Sequence, residues 1–382
     1  MDFFNNNYRK YLGLKPVKET YTCKEYIKNK DNTHYHVYYD NNKIVKIFEY
    51  RINDYEVYVH EMDTEYKTIE SNSIILPKTD KGTQKKITCS VLDTLKGEGT
   101  YFSIYKSSWD NKYHFDIGNY TTQKYYYEGI IEKEITDEES IKKVLDDYIS
   151  DTTKKDLKEI QEFSKEEKKN IKYKEGDYFR VKYGRHKYCY GRILMDITKR
   201  IKKGMDFWYA FMGKTIIVEM FHIFTEDDNV PISKLEAMPT FPSMHILDNR
   251  LFYGDYVIIG NRKLSENIKY PIMFGRSIDA MNPNQIIFQC GEIHKEIPLN
   301  KIDLENFNIS LHQFRMNGTR FNIDLDEEII KECLKSKSND PYWNQFRHGK
   351  YDLRSPENKK NLLSVLKIFD LEDLYNIYNW FN

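Results

Sequence analysis

Short runs of alternating aromatic and β-branched residues, separated by Asn, Asp and Gly, most limit what this chain can fold into. The sequence contains 32 Tyr and 21 Phe among 382 residues. Side chains that alternate with a period of two indicate strands, and aromatic and β-branched residues favour pleated, half-buried surfaces. The pattern therefore predicts a protein built largely from antiparallel β-sheets.

The first 135 residues carry two groups of such runs. Asp40-Asn41-Asn42 and Asn53-Asp54 separate the runs of the first group, and Gly118-Asn119 separates two runs of the second. These residue types favour tight turns between strands. We predict an antiparallel meander with strands over 34–39, 43–50, 55–60, 101–105, 113–117 and 124–131.

A helix and a charged segment follow the predicted meander. Apolar residues recur at helical spacing from Ile141 to Ile149, and Thr136 with Glu139 has the spacing of a capping box. Residues 154–172 alternate in charge and contain few apolar residues, which predicts a solvated helix or a linker. We place a domain boundary in this charged segment.

The rest of the chain returns to a β pattern and then ends in helices. Asp324 with Glu327, and Ser355 with Pro356, have the spacing of helix N-termini. The sequence thus predicts an α+β protein with two mainly antiparallel β domains and a helical C-terminal segment. Further strands are predicted over 178–183, 190–195, 215–221, 256–260 and 285–289. The predicted divisions are an accessory β-rich domain ending in a helix (1–150), a charged linker or helix (151–172), a second β domain (173–323) and the helical segment (324–382).

Composition limits the partners and the compartment. The 59 basic and 59 acidic residues give a net charge of zero, so no overall electrostatic attraction to nucleic acid or an anionic membrane is expected. The five cysteines are odd in number and lack metal-finger spacing, which indicates free thiols in a reducing cytosol. No signal peptide and no run of 18 apolar residues is evident, so we expect a cytoplasmic protein.

The candidate catalytic and metal sites are weak. His34-Tyr35-His36 has the spacing of a metal-binding histidine pair, but no second histidine cluster accompanies it. Cys189 is close to His186, yet three residues along a strand place the two side chains on opposite faces. We therefore expect surface histidines and a buried cysteine, with no catalytic residue, no metal and no cofactor.

Two basic features are harder to assign. The run Lys199-Arg200-Ile201-Lys202-Lys203 precedes Phe207 and Trp208, and basic residues beside aromatic ones are typical of single-stranded nucleic-acid binding. The same run is ordinary for an exposed loop in a lysine-rich protein. Arg192 follows Gly191 in a predicted interior strand, where an arginine pairs with a carboxylate, stacks on a ring or binds a partner. The sequence leaves both questions open.

Residues 173–300 resemble the immunity protein 26 family of bacterial polymorphic toxin systems. The segments that carry the resemblance are Lys174 to Phe179, Tyr190 to Leu194, Leu251 to Asn261, Tyr270 to Ile272, and Gln289 to Gly291, and together they span about a third of the chain. Their motif residues are Gly176, Asp177, Phe179, Tyr190, Gly191, Arg192, Gly254, Gly260, Asn261, Pro271, Gln289 and Gly291.

The resemblance implies a cytoplasmic, non-catalytic protein that binds and neutralises a cognate toxin. It also implies a mainly β fold with a barrel-like, SH3-like sheet in the second domain. Inhibitors of this kind bind through a few anchoring residues, often Tyr, Trp and Arg. The partner-binding candidates are Arg192, Lys199, Arg200, Phe207 and Trp208. The oligomeric state and the identity of the toxin stay open.

Two alternatives belong to other functional classes. A Gly-Asp pair that opens a small barrel strand, with a later Gly-Arg, is also similar to PemK-type ribonuclease toxins. Those toxins follow the arginine with proline, whereas this chain has Ile193. The other alternative is a nucleic-acid-binding β-barrel that uses the basic run. The neighbouring genes would separate these hypotheses, because an immunity protein is encoded beside a large secreted toxin.

Overall fold

The chain forms two compact units, Met1–Lys169 and Asn170–Asn382. The computed structural model describes residues 4–41, 43–53, 56–67, 87–108, 110–204, 214–266, 268–277, 283–302, 311, 319–320, 323 and 325–378. Both units contain sheets and helices, which confirms the mixed α+β class. The functional division into an accessory domain, a linker, a second domain and a C-terminal segment stays a prediction.

The first unit contains one seven-stranded antiparallel sheet. Its strands are β1 Thr22–Lys28, β2 Thr33–Asp40, β3 Lys43–Ile52, β4 Val57–Lys67, β5 Glu98–Lys106, β6 Tyr113–Asn119 and β7 Lys124–Ile131. They pair in sequence order, as predicted for a meander, and the two predicted groups join in a single sheet through β4 and β5. The sequence pattern missed β1 because this edge strand is largely exposed and lacks an apolar alternation.

Among its described residues the first unit also has four helices, α1 Asn6–Tyr11, α2 Cys89–Leu92, α3 Glu138–Ser150 and α4 Lys154–Phe163. Residues 165–170 of the predicted charged segment are exposed. Ile160 and Phe163 of α4, however, belong to the same buried cluster as the central strands, so this part of the segment packs on the core along one narrow stripe, and the predicted solvated state is wrong for it. Two apolar residues three positions apart are enough to form that narrow stripe. The predicted cap of α3 is also wrong, because Asp137 and Ser140 form the capping box.

The second unit contains a six-stranded and a three-stranded sheet. The strands are β8 Asp177–Tyr183, β9 Lys187–Asp196, β10 Thr215–Met220, β11 Met244–Leu247, β12 Val257–Asn261, β13 Ile272–Arg276, β14 Gln285–Cys290, β15 Ile293–Pro298 and β16 Thr319–Arg320. The larger sheet has the order β12-β8-β9-β10-β11-β16, with only the short β11–β16 pair parallel, and the smaller has the order β13-β14-β15. Among the described strands no pairing joins β12 to β16, so the larger sheet is open and the predicted barrel-like closure is not found there.

Short helices connect the strands of the second unit and fill its C-terminal segment. They are α5 Ile197–Lys202, α6 Ile232–Glu236, α7 Asn249–Phe252, α8 Glu327–Ser336, α9 Asp340–Trp343, α10 Phe346–Tyr351, α11 Lys359–Ile368 and α12 Asp373–Tyr378. Ile330 of α8 packs into the core of the larger sheet, and Leu362 of α11 packs against the smaller one. Asp326 caps α8, whereas the predicted cap Asp324 lies outside the described residues. None of the described helices combines the length and the apolar character needed to cross a membrane.

Candidate functional site

The strands β8 to β11 of the larger sheet in the second unit are buried on both faces, whereas the edge strand β12 is partly exposed. Phe179 of β8 belongs to one apolar cluster, together with residues of α7 and α8, while Tyr178 belongs to another that lies beneath α6. Both rings are fully buried. This arrangement explains why the sequence pattern carries apolar side chains on both faces of the strand, and it leaves the ends and connections of the sheet as the accessible parts.

A Gly-Asp turn fixes the entry to β8. Gly176 has a φ of +83°, and a Cβ atom there would lie 2.2 Å from the carbonyl oxygen of Arg262, so only glycine fits. Asp177 Oδ2 accepts a hydrogen bond from the backbone N–H of Lys174 at 2.7 Å. Its Oδ1 accepts one from Asn261 Nδ2 at 2.8 Å. These motif residues therefore join the start of β8 to the end of β12.

Gly191 allows β9 to lie close to its neighbours. A Cβ atom at this position would come within 2.5 Å of both Phe179 Cζ and Met220 Sδ. No larger residue can occupy the position unless the core moves. The glycine before Arg192 is therefore a packing requirement of the sheet.

Tyr190 and Gly260 hold the loop that covers the other face of the sheet. Tyr190 is fully buried, and its hydroxyl donates a hydrogen bond to the carbonyl of Asp227 at 2.7 Å. The same hydroxyl accepts one from the backbone N–H of Val230 at 3.3 Å. Gly260 lies at a β-bulge in β12 and faces Ile232 of α6. Both motif residues serve the packing of the loop.

The remaining motif residues are also structural. Gly254 lies in the turn after α7, and Pro271 is buried directly before β13. Gln289 Nε2 donates a hydrogen bond to the carbonyl of Gly291 at 2.9 Å, and His294 Nδ1 is 2.7 Å from Gln289 Oε1. The motif as a whole thus specifies turns, a bulge and close packing.

Arg192 forms an ion pair inside the second unit. Its Nε donates a hydrogen bond to Glu219 Oε1 at 2.9 Å, its Nη2 contacts the same oxygen, and its Nη1 donates to the Tyr178 hydroxyl at 3.2 Å. Burial lowers the pKa of Arg192, but the charge of Glu219 and its hydrogen bond outweigh burial and leave the pKa above its ordinary value. Glu219 could have been found from the sequence as the one charged residue in an otherwise apolar strand.

The basic run forms α5 and is partly neutralised. Asp196 caps the helix, and Lys199 Nζ lies 3.0 Å from Asp196 Oδ2. Arg200 pairs with Glu175 at 2.9 Å and with Glu292 at 2.8 Å. The sequence did not identify these carboxylates, because they come from the segment before β8 and the turn before β15.

An exposed surface remains at the end of α5. The α5 surface, as we call it, consists of the exposed side chains of Lys199, Ile201, Lys202 and Lys203. Lys202 and Lys203 form no ion pair with any residue that the structure describes. Phe207 and Trp208, the aromatic candidates that follow, lie outside the described residues. The two described arginine candidates and Lys199 have carboxylate partners, whereas Lys202 and Lys203 are exposed without a described partner.

The histidine and cysteine candidates have ordinary surroundings. His34 Nδ1 is 2.9 Å from Glu25 Oε1, and its ring stacks on Tyr50. Cys189 is buried, and burial raises the pKa of its thiol to about 12. Within the described ranges there is no group of three or more His, Cys, Asp or Glu side chains that could hold a metal ion. The described geometry at Cys189 does not favour a thiolate nucleophile.

Residues 174–286 match the family model described as Immunity protein 26, which confirms the resemblance noted from the sequence. The match covers 113 of the 382 residues and includes the Gly176 turn, Arg192 and the α5 surface. No curated protein and no solved structure matches the chain significantly.

Proposed function

We propose that the chain is an immunity protein that binds and neutralises the cognate toxin of a bacterial polymorphic toxin system. The observation that carries this proposal is the match of residues 174–286 to the Immunity protein 26 family model. We assign the action to the cytoplasm, where such a toxin would meet its inhibitor. Residues 1–150 would then be an accessory domain attached to the family domain.

The contacts of the family motif support a non-catalytic mode of action. Gly176, Asp177 and Asn261 build a turn, and Gly191 permits close strand packing. A catalytic motif would instead bring a nucleophile or base towards a site that a substrate can reach. A binding protein needs only a stable surface with a few anchoring residues. The motif is of the kind that maintains such a surface.

We propose the α5 surface as the place of toxin contact, together with Phe207 and Trp208, which follow it in the chain. Lys202 and Lys203 offer charges without described partners, and Ile201 adds an exposed apolar side chain. Arg192 and Arg200 would orient this region through the ion pairs that they form with glutamate side chains. Cations at a rim mainly steer association, while a buried aromatic anchor supplies most of the affinity. The toxin surface would therefore be acidic around an apolar pocket.

Co-expression with the toxin domain encoded beside this chain tests the function. A non-catalytic inhibitor must protect in proportion to its amount, so survival should rise until the two proteins are equimolar and a 1:1 complex should be isolated. An enzyme that modified the toxin or its product would protect at a small fraction of that amount. Protection at such a fraction, or no complex with the neighbouring toxin, would overturn the proposal.

Charge reversal tests the proposed surface separately. We expect Lys202→Glu with Lys203→Glu to slow association with the toxin at least tenfold, as for other rim charges. The matched control is Lys155→Glu with Lys158→Glu on α4, which are also exposed lysines. Trp208→Ala should cost on the order of 2 kcal/mol of binding free energy if it is an anchor. If the folded variants bound the toxin with unchanged association rate and affinity, the toxin contact would have to lie elsewhere on the protein.

A further inference from the structure

One face of the first unit's sheet carries α2 over part of its width and aromatic rings beyond it. Val91 and Leu92 of α2 pack on side chains of β2, β3 and β4. Farther along the same face lie Tyr58, His60 and Tyr101, and of these Tyr101 packs against the edge of the α2 cluster. The Tyr120 ring stacks on Tyr101 with centroids 4.3 Å apart, and Tyr120 is 39 % exposed. These rings form an aromatic surface that is partly exposed to solvent.

His60 lies at the centre of this surface and is neutral. Its Nδ1 is 2.9 Å from the carbonyl oxygen of Phe102, which can only accept, so Nδ1 carries the proton. Its Nε2 then accepts a hydrogen bond from the Tyr120 hydroxyl at 3.0 Å. Burial lowers the pKa of His60 to about 4. His60 therefore supplies no positive charge to its neighbours at neutral pH.

Glu49 lies directly across the strand pair from His60 and has no hydrogen-bond or ion-pair partner in the part of the chain that the structure describes. The two residues are paired in the register of β3 and β4, which brings their side chains to the same face. Among the described residues Glu49 is half-buried and makes no hydrogen bond and no ion pair. Burial, then the charge of Asp93, raise the pKa of its carboxyl to about 7. Glu49 also acts electrostatically on the hydroxyls of Tyr58 and Tyr120.

The charges of Arg51 and Lys28 lower the pKa of the Glu49 carboxyl, but burial and the charge of Asp93 outweigh them. Arg51 on β3 is held by Asp31 at 3.2 Å and by Glu56 at 2.5 Å. Lys28 on β1 is held by Asp31 at 3.5 Å and by Asp93 at 3.0 Å. The hydroxyl of Tyr35, opposite Glu49 on β2, donates to Asp93. Two cations thus face three other carboxylates, and ionised Glu49 makes a fourth.

We propose that Glu49 and the rings of Tyr58 and Tyr120 form a site for one ammonium or guanidinium group, supplied by a lysine or arginine side chain of a protein partner. The cation would restore charge balance beside Glu49 and would form a charge-assisted hydrogen bond with it. Ring faces attract cations and cover the apolar stem of such a side chain. The Tyr120 hydroxyl donates its hydrogen bond to His60 Nε2, so its oxygen can still accept a further hydrogen bond. The site lies outside the family match and does not depend on the proposed immunity function.

Nuclear magnetic resonance of the full chain with carboxyl-labelled glutamate tests the site, and n-butylammonium serves as the probe. At pH 8 the probe should shift the Glu49 resonance saturably, and it should lower the pKa of Glu49 by about one unit or more. Neutral n-butanol, of the same length, should produce no saturable shift. Equal responses to the ammonium and the alcohol, or a linear response to both, would overturn the proposal.

Two carboxylate variants locate the effect, with labelled tyrosine as the reporter. Glu49→Gln should remove the saturable ring shifts caused by n-butylammonium, whereas Glu25→Gln, at an exposed carboxylate of β1 on the opposite face of the sheet, should retain them. Loss in both variants, or retention in Glu49→Gln, would contradict the assignment. If Glu49→Gln did not fold, the comparison of ammonium and alcohol on the parent chain would decide alone. No toxin is needed, so a failure here is separate from a failure of the immunity function.

Discussion

Replacing Glu61 by glutamine should strongly destabilise the first unit. Glu61 is fully buried and accepts hydrogen bonds from Arg9 Nη2 at 2.8 Å and from Lys46 Nζ at 2.7 Å. Lys46 also pairs with Asp63 at 2.7 Å, so two buried cations face two buried carboxylates. Glu61→Gln leaves one excess positive charge where water cannot reach it. Breaking a buried pair in this way costs about 3–5 kcal/mol.

Acidification should weaken the same network. Burial raises the pKa of Glu61, but Lys46 and Arg9 outweigh burial and hold the pKa below its ordinary value. A depressed pKa means that the folded state binds the proton less readily than the unfolded state. The stabilisation from Glu61 is therefore complete above about pH 4.5 and is lost as the pH falls through its folded pKa.

Hydrogen exchange of the β3 and β4 amides in the full chain measures this effect for the first unit alone. We expect the free energy of opening to fall by about 3–5 kcal/mol in Glu61→Gln. The control Glu162→Gln, an exposed carboxylate on α4, should change it by less than about 0.5 kcal/mol. Adding Arg9→Met to Glu61→Gln restores charge balance, keeps the buried Lys46–Asp63 pair, and should recover part of the loss. A single variant that loses under about 1 kcal/mol, or a double variant that is worse, would refute the reasoning.

Three further predictions follow from single side chains. Raising the pKa of Glu49 from 4.5 to about 7 costs about 3 kcal/mol at 1.36 kcal/mol per pKa unit. Because this folded pKa is raised, the cost is absent below pH 4.5 and complete above pH 7, so Glu49→Gln should stabilise the β3 amides at pH 8 and not at pH 4. Arg192→Ala leaves Glu219 without its cation and should lower the urea stability of the second unit by about 2 kcal/mol, while Arg192→Lys should recover part of it. In Gly176→Ala the new methyl group would clash with the Arg262 carbonyl, and the backbone would keep a positive φ, so the second unit should lose about 2 kcal/mol in the same urea measurement. A variant as stable as the parent would contradict this prediction.

Strand pattern and turn chemistry are local, and for that reason the sequence predicted them well. The alternation of β2, β3 and β5 to β7 can be seen within each run, and the breaks between runs carry Asn, Asp or Gly. The motif around Gly176 and Gly191 was likewise visible, because its turns and close contacts restrict which residues can stand there. The edge strand β1 was missed because its exposed faces carry no apolar period.

Only the tertiary structure decided how charges are paired. Arg9 and Glu61 are 52 positions apart, and Arg192 and Glu219 are 27 apart, so their contacts depend on strand register and helix packing that no local pattern encodes. The structure pairs Arg192 with Glu219, which was one of the alternatives that the sequence left open. The strand register also places Glu49 of β3 directly opposite the neutral His60 of β4. Residue types are a property of the chain, but whether a buried charge has a partner is a property of the folded packing.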